Sequence, residues 1–224
     1  MIAATETPRG PLSARERWLV ARLGGGKVLD IGFAGQKQAL PAYYERLTDA
    51  DRVLFGIDFA KEVVFRRRQP RSIVGDARRL PLGDGSVDAV ILGEFLEHQS
   101  DLVPFVAEAH RVLRSGGQLL LTTPNPFFIN RLLRRWLLKA GGGHIAHDNI
   151  SRAMGYEDHV VIWDPLSLMH LIARQGFEVR TATSLGFWIP GLGRVVRRFR
   201  RGLYLDAWPF NRLGYITCIE AVKR

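Results

Sequence analysis

The sequence predicts a single α/β domain in which a doubly wound, largely parallel sheet is covered by helices on both faces. Short, nearly continuous apolar runs alternate with amphipathic helical patterns, and this alternation is typical of parallel strands joined by crossover helices. The 224 residues, 46% of them hydrophobic, suffice for one such domain and its core. No internal repeat divides the sequence, so we expect one domain.

The first 26 residues predict a helical extension ahead of the sheet. Ser13 and Glu16 have the spacing of a capping box, in which each side chain bonds the backbone amide of the other residue. The run Gly24, Gly25 and Gly26 is expected to stop the helix that starts there. The sheet domain is then expected to occupy residues 27–224.

Seven strands and two longer helices are predicted within that domain. One helix begins near Asp101 and ends at Gly116, and a second has Asp164 and Pro165 as its cap and first turn and ends at Gly176. Segments of about 126–163 and 186–213 are predicted as insertions or lids. The strands are expected at 27–32, 51–58, 71–76, 86–93, 118–124, 177–184 and 214–223.

Charge and cysteine usage narrow the functional classes. The formal net charge of +10 favours anionic partners, whether phosphate-bearing substrates, lipid head groups or nucleic acid. The single cysteine, Cys218, lies in an apolar run and is predicted to be a buried strand residue, which excludes a disulfide within the chain. The N-terminus lacks the pattern of a secretory signal, so we expect a cytoplasmic protein.

Polar residues stand where successive parallel strands end, and there they predict a nucleoside site. Asp30 and Gly32 close the first strand, while Asp58 and Asp76 close the second and third. A glycine lets the backbone approach a ligand closely, and a carboxylate after the second strand can accept bonds from two ribose hydroxyls. Neither the G-x-G-x-x-G dinucleotide fingerprint nor a Walker loop is present.

Five motifs in order resemble the class I S-adenosylmethionine-dependent methyltransferases, of the type 11 and type 23 kind. They are "VLDIG", "GID", "GDARRLPLGDGSVDAVI", "GEFLEH" and "EAHRVLRSGGQLLLTTPN", within a resemblance from about residue 27 to 179. The resemblance implies a Rossmann-like doubly wound sheet of seven strands, mostly parallel, with an antiparallel last strand. It also implies S-adenosylmethionine as the cofactor.

The resemblance also assigns cofactor-binding roles. Gly32 and Gly35 would line the methionine part of the cofactor with Asp30 supporting their loop, and Asp58 would hold the ribose. Asp76 with Ala77 would face the adenine, and Gly93 with Glu94 would form the floor of the site. Ala34 and Gln36 replace the usual second and third glycines, and they place this loop furthest from the family pattern. The alternative for each aspartate is a role as a strand-end turn residue.

Four histidines are candidates for the acceptor side. His98, in "GEFLEH" after the fourth strand, is predicted as a general base, with a helix-capping or packing role as the alternative. His144, His147 and His159 are predicted to lie in a segment that covers the acceptor. As a metal site their spacing is a weak match, and a substrate lid or an ordinary loop is favoured, so no metal is expected.

Two basic amphipathic stretches are compatible with more than one kind of binding partner. Arg131–Lys139 and Arg194–Arg201 each place arginines opposite an apolar face. Such faces either pack on the domain or attach to an anionic membrane surface, here the inner face, with nucleic-acid binding a weaker reading. The predicted function is methyl transfer to oxygen of a small molecule, lipid or glycan. The alternatives are an RNA methyltransferase and a non-catalytic cofactor-binding scaffold of the same fold.

Overall fold

The computed structural model describes residues 12–33, 51–61, 71–128, 159–187 and 210–224. Within these ranges the chain forms three α-helices and seven strands around one sheet. Short 3-10 turns cover Leu96–His98 and Phe210–Arg212. The helices are α1 (Ala14–Arg22), α2 (Val103–Val112) and α3 (Pro165–Arg174). The strands are β1 (Gly26–Ile31), β2 (Arg52–Asp58), β3 (Ser72–Val74), β4 (Val87–Gly93), β5 (Leu113–Pro124), β6 (Phe177–Leu185) and β7 (Ile216–Lys223).

The sheet has the strand order β3-β2-β1-β4-β5-β7-β6. Strands β1 to β5 pair in parallel, and β7 runs antiparallel to both of its neighbours, β5 and β6. The predicted seven-stranded, mostly parallel sheet with an antiparallel last strand is thereby confirmed. The strand order reverses between β1 and β4, and ligands of open α/β sheets bind outside the carboxyl ends of the strands at such a point.

Helix α1 packs on one face of the sheet. The predicted capping box is present: the Ser13 amide donates to Glu16 Oε2 at 2.7 Å, and the Glu16 amide donates to Ser13 Oγ at 3.2 Å. Trp18 and Leu19 are buried in a cluster that also contains Cys218 of β7, which the sequence placed correctly in a buried strand. The division of the chain at residue 26 stays a prediction, but α1 itself belongs to the core of this face.

Helices α2 and α3 cover the opposite face. Their buried residues include Phe105 and Val106 on α2 and Leu168 and Ile172 on α3, in one cluster with alternate residues of the central strands. Because successive strand residues point to opposite faces, β1 and β4 contribute to both clusters. A central sheet buried on both sides explains why its strands read as continuous apolar runs.

Helix α2 ends earlier than the sequence indicates. The predicted stop was Gly116, but the helix ends at Val112 and β5 begins at Leu113. Leu113 is fully buried and pairs with Val87 of β4, so burial of this side chain in the sheet competes with another helical turn. Gly116 instead lies within the β5 span, where its φ of +70° places it in the left-handed region that glycine tolerates.

Several predicted features lie outside the described residues. These are the two basic stretches, Arg131–Lys139 and Arg194–Arg201, and most of the insertions at about 126–163 and 186–213. Their roles therefore stay predictions. No helix among the residues that the structure describes is both long enough and apolar enough to cross a bilayer.

Candidate functional site

Gly32 occupies the turn that follows β1, at the point where the strand order reverses. Its φ of +74° lies in the left-handed region, and its amide donates to the Ile57 carbonyl of β2 at 2.9 Å. A Cβ atom placed here would lie 2.8 Å from Cδ2 of Phe95. Glycine is therefore required both by the backbone conformation and by the close approach of the segment that follows β4.

Two carboxylates belong to the strands on either side of this turn. Asp30 is buried, 1% exposed, near the end of β1. Asp58 is the last residue of β2, and its Oδ1 accepts from the Ala60 amide at 2.9 Å while its carbonyl accepts from the Gly75 amide at 3.0 Å. These bonds fix the Asp58 carboxylate at the carboxyl edge of the sheet, where a carboxylate can accept further hydrogen bonds.

Asp76 and Ala77 follow β3, and the structure gives them opposite environments. Ala77 is buried in the core, whereas the Asp76 side chain is exposed and forms a forked ion pair with Arg78, with distances of 2.7 to 3.0 Å. The Arg78 guanidinium, helped by the Arg78 amide, lowers the pKa of Asp76 below its ordinary value. Asp76 thus presents an exposed carboxylate beside a buried alanine, at the edge where the resemblance placed the adenine.

Gly93 and Glu94 end β4, and an arginine from α1 reaches them. A Cβ at Gly93 would collide with the Arg15 guanidinium. Arg15 Nε donates to Thr122 Oγ1 of β5 at 2.9 Å, and its Nη1 lies 3.7 Å from Glu94 Oε2. The sequence did not identify Arg15, because the bond to Thr122 spans 107 residues and a lone arginine on a helix carries no motif.

Glu97, His98 and His159 come together next to this point. Their ligand-type atoms, one from each side chain, all lie within 4.8 Å of one another. The two imidazole rings meet edge to face, with centroids 5.3 Å apart. Glu97 is buried, His159 is half-buried and His98 is exposed, so the cluster runs from the protein interior to solvent.

Hydrogen bonds to two main-chain carbonyls hold this cluster in place. The Glu97 carbonyl accepts from the Val160 amide at 2.8 Å and from the Val161 amide at 3.1 Å. Trp163 Nε1 donates to the Leu96 carbonyl at 2.9 Å. The segment that follows β4 and the segment that precedes α3 are therefore tied together, and His159 sits beside His98 for that reason.

The Glu97 carboxyl is electrostatically unusual for an acidic side chain. Burial raises its pKa above the ordinary value, and the Glu94 carboxylate raises it further. Thr123 Oγ1 donates to Glu97 Oε2 at 3.3 Å and partly offsets the burial. A buried carboxylate beside two imidazoles is a group whose charge needs a partner.

The described residues thus bring together most of the predicted site but not all of it. Asp30, Gly32, Asp58, Gly93 and Glu94 lie along the carboxyl ends of β1, β2 and β4, with Asp76 and Ala77 after β3. Gly35, His144 and His147 lie outside the described residues. Sequence reasoning missed Glu97 and Trp163. The "GEFLEH" motif did contain Glu97, but its burial follows only from the fold.

Comparison with known proteins agrees with this geometry. The sequence profile of the family described as "Methyltransferase domain" matches residues 29–121. A "Probable S-adenosylmethionine-dependent methyltransferase" of Mycolicibacterium smegmatis is 37% identical over 111 residues. These matches and the fold support a class I S-adenosylmethionine-dependent methyltransferase. They imply S-adenosylmethionine as the cofactor.

Two further comparisons define how far the likeness extends. An uncharacterized 37.1 kDa protein from transposon TN4556 of Streptomyces fradiae is 29% identical over 206 residues, 89% of this chain. The chain spans 54% of that protein and 41% of the M. smegmatis protein, about half of the relatives it matches. A Thermotoga maritima structure, described as a "SAM-dependent methyltransferase, possible histamine N-methyltransferase", aligns with a TM-score of 0.66 at 19% identity, covering 94% of this chain and 88% of that one.

The residues at the strand ends fit the implied cofactor. Gly32 allows the left-handed turn after β1, and Asp58 presents a carboxylate at the end of the adjacent strand. A carboxylate there can hold two ribose hydroxyls, and a turn without a side chain lets the backbone approach a ligand closely. Gly32, Asp58 and Asp76 would thus hold the methionine, ribose and adenine parts respectively.

Proposed function

We propose that this chain transfers a methyl group from S-adenosylmethionine to an oxygen atom of a small-molecule, lipid or glycan acceptor. The observation that carries the choice of oxygen is the cluster of Glu97, His98 and His159 directly after β4. It supports a site where an acceptor can lose a proton, which a hydroxyl acceptor needs. The net charge of +10 supports an acceptor that carries negative charge.

The roles of the chain's own residues follow from their positions. The cofactor, when bound, supplies a methyl group that its positive sulfur has already activated for transfer. Asp58 orients the ribose, and the Arg15 guanidinium beside Gly93 offers a cation to the carboxylate of the methionine part. What remains for the protein is to align the acceptor and exclude water, which are effects of positioning.

His98 takes the proton of the acceptor hydroxyl in this proposal. Its imidazole is exposed and follows the floor residues Gly93 and Glu94 by a few positions, so an acceptor above the floor can reach it. An imidazole exchanges a proton near neutral pH, and a positioned base contributes about 10²- to 10⁴-fold to rate. His159 packs against His98 and limits the orientations of the His98 ring.

Calorimetry with S-adenosylhomocysteine tests the cofactor half of the proposal. We expect saturable binding to the wild-type chain and a loss of at least about tenfold in affinity for Asp58→Ala, because a charged acceptor of two hydrogen bonds is removed. Asp51→Ala is the matched control, since Asp51 precedes the same strand at its opposite end. Absence of binding by the wild-type protein would refute the proposed methyl transfer.

A second experiment tests the acceptor atom. Cell extracts incubated with the protein and isotope-labelled S-adenosylmethionine should yield a labelled small molecule, lipid or glycan, whose methyl group can be located by mass spectrometry and NMR. We expect the label on oxygen, and a lower yield for His98→Gln than for the exposed control His170→Gln. Label on nitrogen or in RNA would refute the oxygen assignment.

A further inference from the structure

We propose that Glu97, His98 and His159 form a binding site for one divalent transition-metal ion, which holds the oxygen of the acceptor. The proposal rests on the proposed function, because it concerns the acceptor side of the same site. It goes against the sequence prediction that no metal is bound. That prediction considered the spacing of His144, His147 and His159, whereas the structure joins His159 to a different part of the chain.

The geometry suits a small cation. The three ligand atoms lie within 4.8 Å of one another. Around a tetrahedral ion with ligand bonds of about 2.1 Å, neighbouring ligand atoms lie about 3.4 Å apart, so side-chain rotations that bring these atoms closer by about 1 Å close the site. The ion can enter past His98, which is exposed, and come to rest against the buried Glu97 carboxylate.

The main-chain segments that carry the three proposed ligands are held together without any ion. The Glu97 carbonyl bonds with the Val160 and Val161 amides fix the distance between the two histidine-bearing segments. The hydrogen bond from Trp163 Nε1 to the Leu96 carbonyl also restrains the distance between these two segments. Thr123 donates to one oxygen of Glu97 and thus orients the carboxylate, as outer-shell partners of metal ligands do.

The ligand types point to the kind of ion. Two imidazoles and one carboxylate favour Mn²⁺, Fe²⁺, Co²⁺ or Zn²⁺, whereas Mg²⁺ prefers oxygen ligands and keeps its waters. An ion at this position would neutralise the buried charge of Glu97. It would also keep open coordination positions, because only three side chains bind it.

The open coordination positions of the ion indicate its chemical role. A hydroxyl oxygen bound there becomes more acidic, since a bound cation stabilises the deprotonated form. The hydroxyl proton passes to bulk water, and the oxygen keeps both electrons of the broken O–H bond. With the ion present, His98 is a neutral ligand and the ion replaces it in favouring deprotonation.

Cobalt titration tests the site without any need for turnover. Co²⁺ is titrated into the tag-free 224-residue chain, and binding is followed by calorimetry and by the visible absorption of cobalt bound to imidazole. We expect one equivalent to bind, and each of Glu97→Gln, His98→Ala and His159→Ala to weaken binding by more than about 100-fold, the upper range for an outer-shell partner. Mg²⁺ should bind more weakly than Co²⁺. Azide added to the cobalt form should shift the absorption, because it occupies an open position.

Controls separate this proposal from the proposed function. His170→Ala removes an exposed histidine on α3 and should leave cobalt binding unchanged. Glu97→Gln keeps the size of the side chain, so a folded variant is available even if the histidine variants fail to fold. Cobalt binding that is absent, or equal in wild type and Glu97→Gln, overturns the metal site. If S-adenosylhomocysteine still binds in that case, the proposed methyl transfer stands, with His98 as its base.

Discussion

At the cofactor end of the site, Asp58 and Asp76 are each held by a residue two positions further along the chain. At the acceptor end, the contact that brings the histidines together, from Trp163 to Leu96, spans 67 residues. The Asp58 carboxylate bonds the Ala60 amide, and Asp76 bonds Arg78. The two aspartates of the cofactor end are therefore held by local turns, whereas Arg15 at that end and the histidines at the acceptor end are placed by contacts that exist only in the folded chain.

In the proposed function, this difference separates the aspartates that bind the cofactor from the residues that act on the acceptor. The turns that hold the two aspartates form at the ends of their own strands, so the positions of these carboxylates depend mainly on the sheet. The acceptor end depends on two segments that meet above the sheet, at Glu97 and Val160. Substitutions can therefore disturb the acceptor end while the cofactor still binds.

The strongest expected effect concerns the turn at which the two ends meet. Gly32→Ala should lower the free energy of unfolding by about 3 kcal/mol, because an alanine at φ +74° is strained and its Cβ would lie 2.8 Å from Phe95. It should also weaken S-adenosylhomocysteine binding, since the backbone has to move. Denaturant unfolding and calorimetry measure the two effects.

Gly83→Ala is the matched control for that substitution. A Cβ at Gly83 would meet no heavy atom within 4 Å, so its free energy of unfolding should change by less than about 0.5 kcal/mol. Equal effects of the two alanines would mean that Gly32 is not required by its turn.

Features readable from the sequence are those whose partners lie close along the chain. The Ser13 capping box joins residues three apart, and Cys218 was placed by its apolar neighbours alone. The strand-end positions of Asp30 and Asp58 followed from the strand boundaries, because the carboxyl ends of parallel strands share one edge. The strand and helix boundaries in the sequence likewise predicted the order of the strands and helices along the chain.

Two features could not be predicted from the sequence, because they depend on how the helices and strands pack and pair. Arg15 meets Thr122 only because α1 lies across β4 and β5. The early end of α2 follows from the pairing of Leu113 with Val87, while a helical pattern continues past that point in the sequence. Local propensity cannot report such tertiary preferences.

The second prediction tests the long-range end of the site. Trp163→Phe removes the donor to the Leu96 carbonyl, and we expect a loss of about 1.5 kcal/mol in the free energy of unfolding. Cobalt binding should weaken with it, while S-adenosylhomocysteine affinity stays within about twofold, since the cofactor residues are untouched.

Trp18→Phe supplies the control for the loss of indole volume. Among the residues that the structure describes, the buried Trp18 Nε1 has no hydrogen-bond partner, so its removal costs no bond. The difference between the two variants then reports the Trp163 bond. If Trp163→Phe weakens cofactor binding as strongly as cobalt binding, the two ends are not independent.

The third prediction concerns pH and another long-range contact. His110 of α2 meets Phe177 of β6 edge to face at 5.1 Å, and burial, together with repulsion from Lys223, lowers the pKa of His110. A histidine whose pKa is lowered by folding stabilises the fold above its ordinary value near 6.5, and that stability is lost as the pH falls through the lower folded-state value. The free energy of unfolding should therefore drop by less than about 1 kcal/mol from this group between pH 7 and pH 5.

His110→Gln should flatten that part of the stability curve, which denaturant unfolding at several pH values can follow. His170→Gln, on the exposed side of α3, controls for the loss of a histidine. A slope that His110→Gln leaves unchanged would show that the contact between α2 and β6 does not set the charge of His110.

The smallest expected effect lies at the cofactor end, in the pair of Asp76 and Arg78. Both side chains are largely exposed, with 48% and 63% of their surface accessible, and exposed pairs contribute little to stability. Arg78→Gln should shift the melting temperature by less than about 2 °C and leave S-adenosylhomocysteine affinity nearly unchanged, because Asp76 stays ionised near neutral pH without help. Asp76→Asn should weaken that affinity, since the carboxylate is the proposed partner of the adenine. Equal losses in the two variants would show that Arg78 organises the loop, and the cofactor end would then depend on more than the aspartates that the strand ends supply.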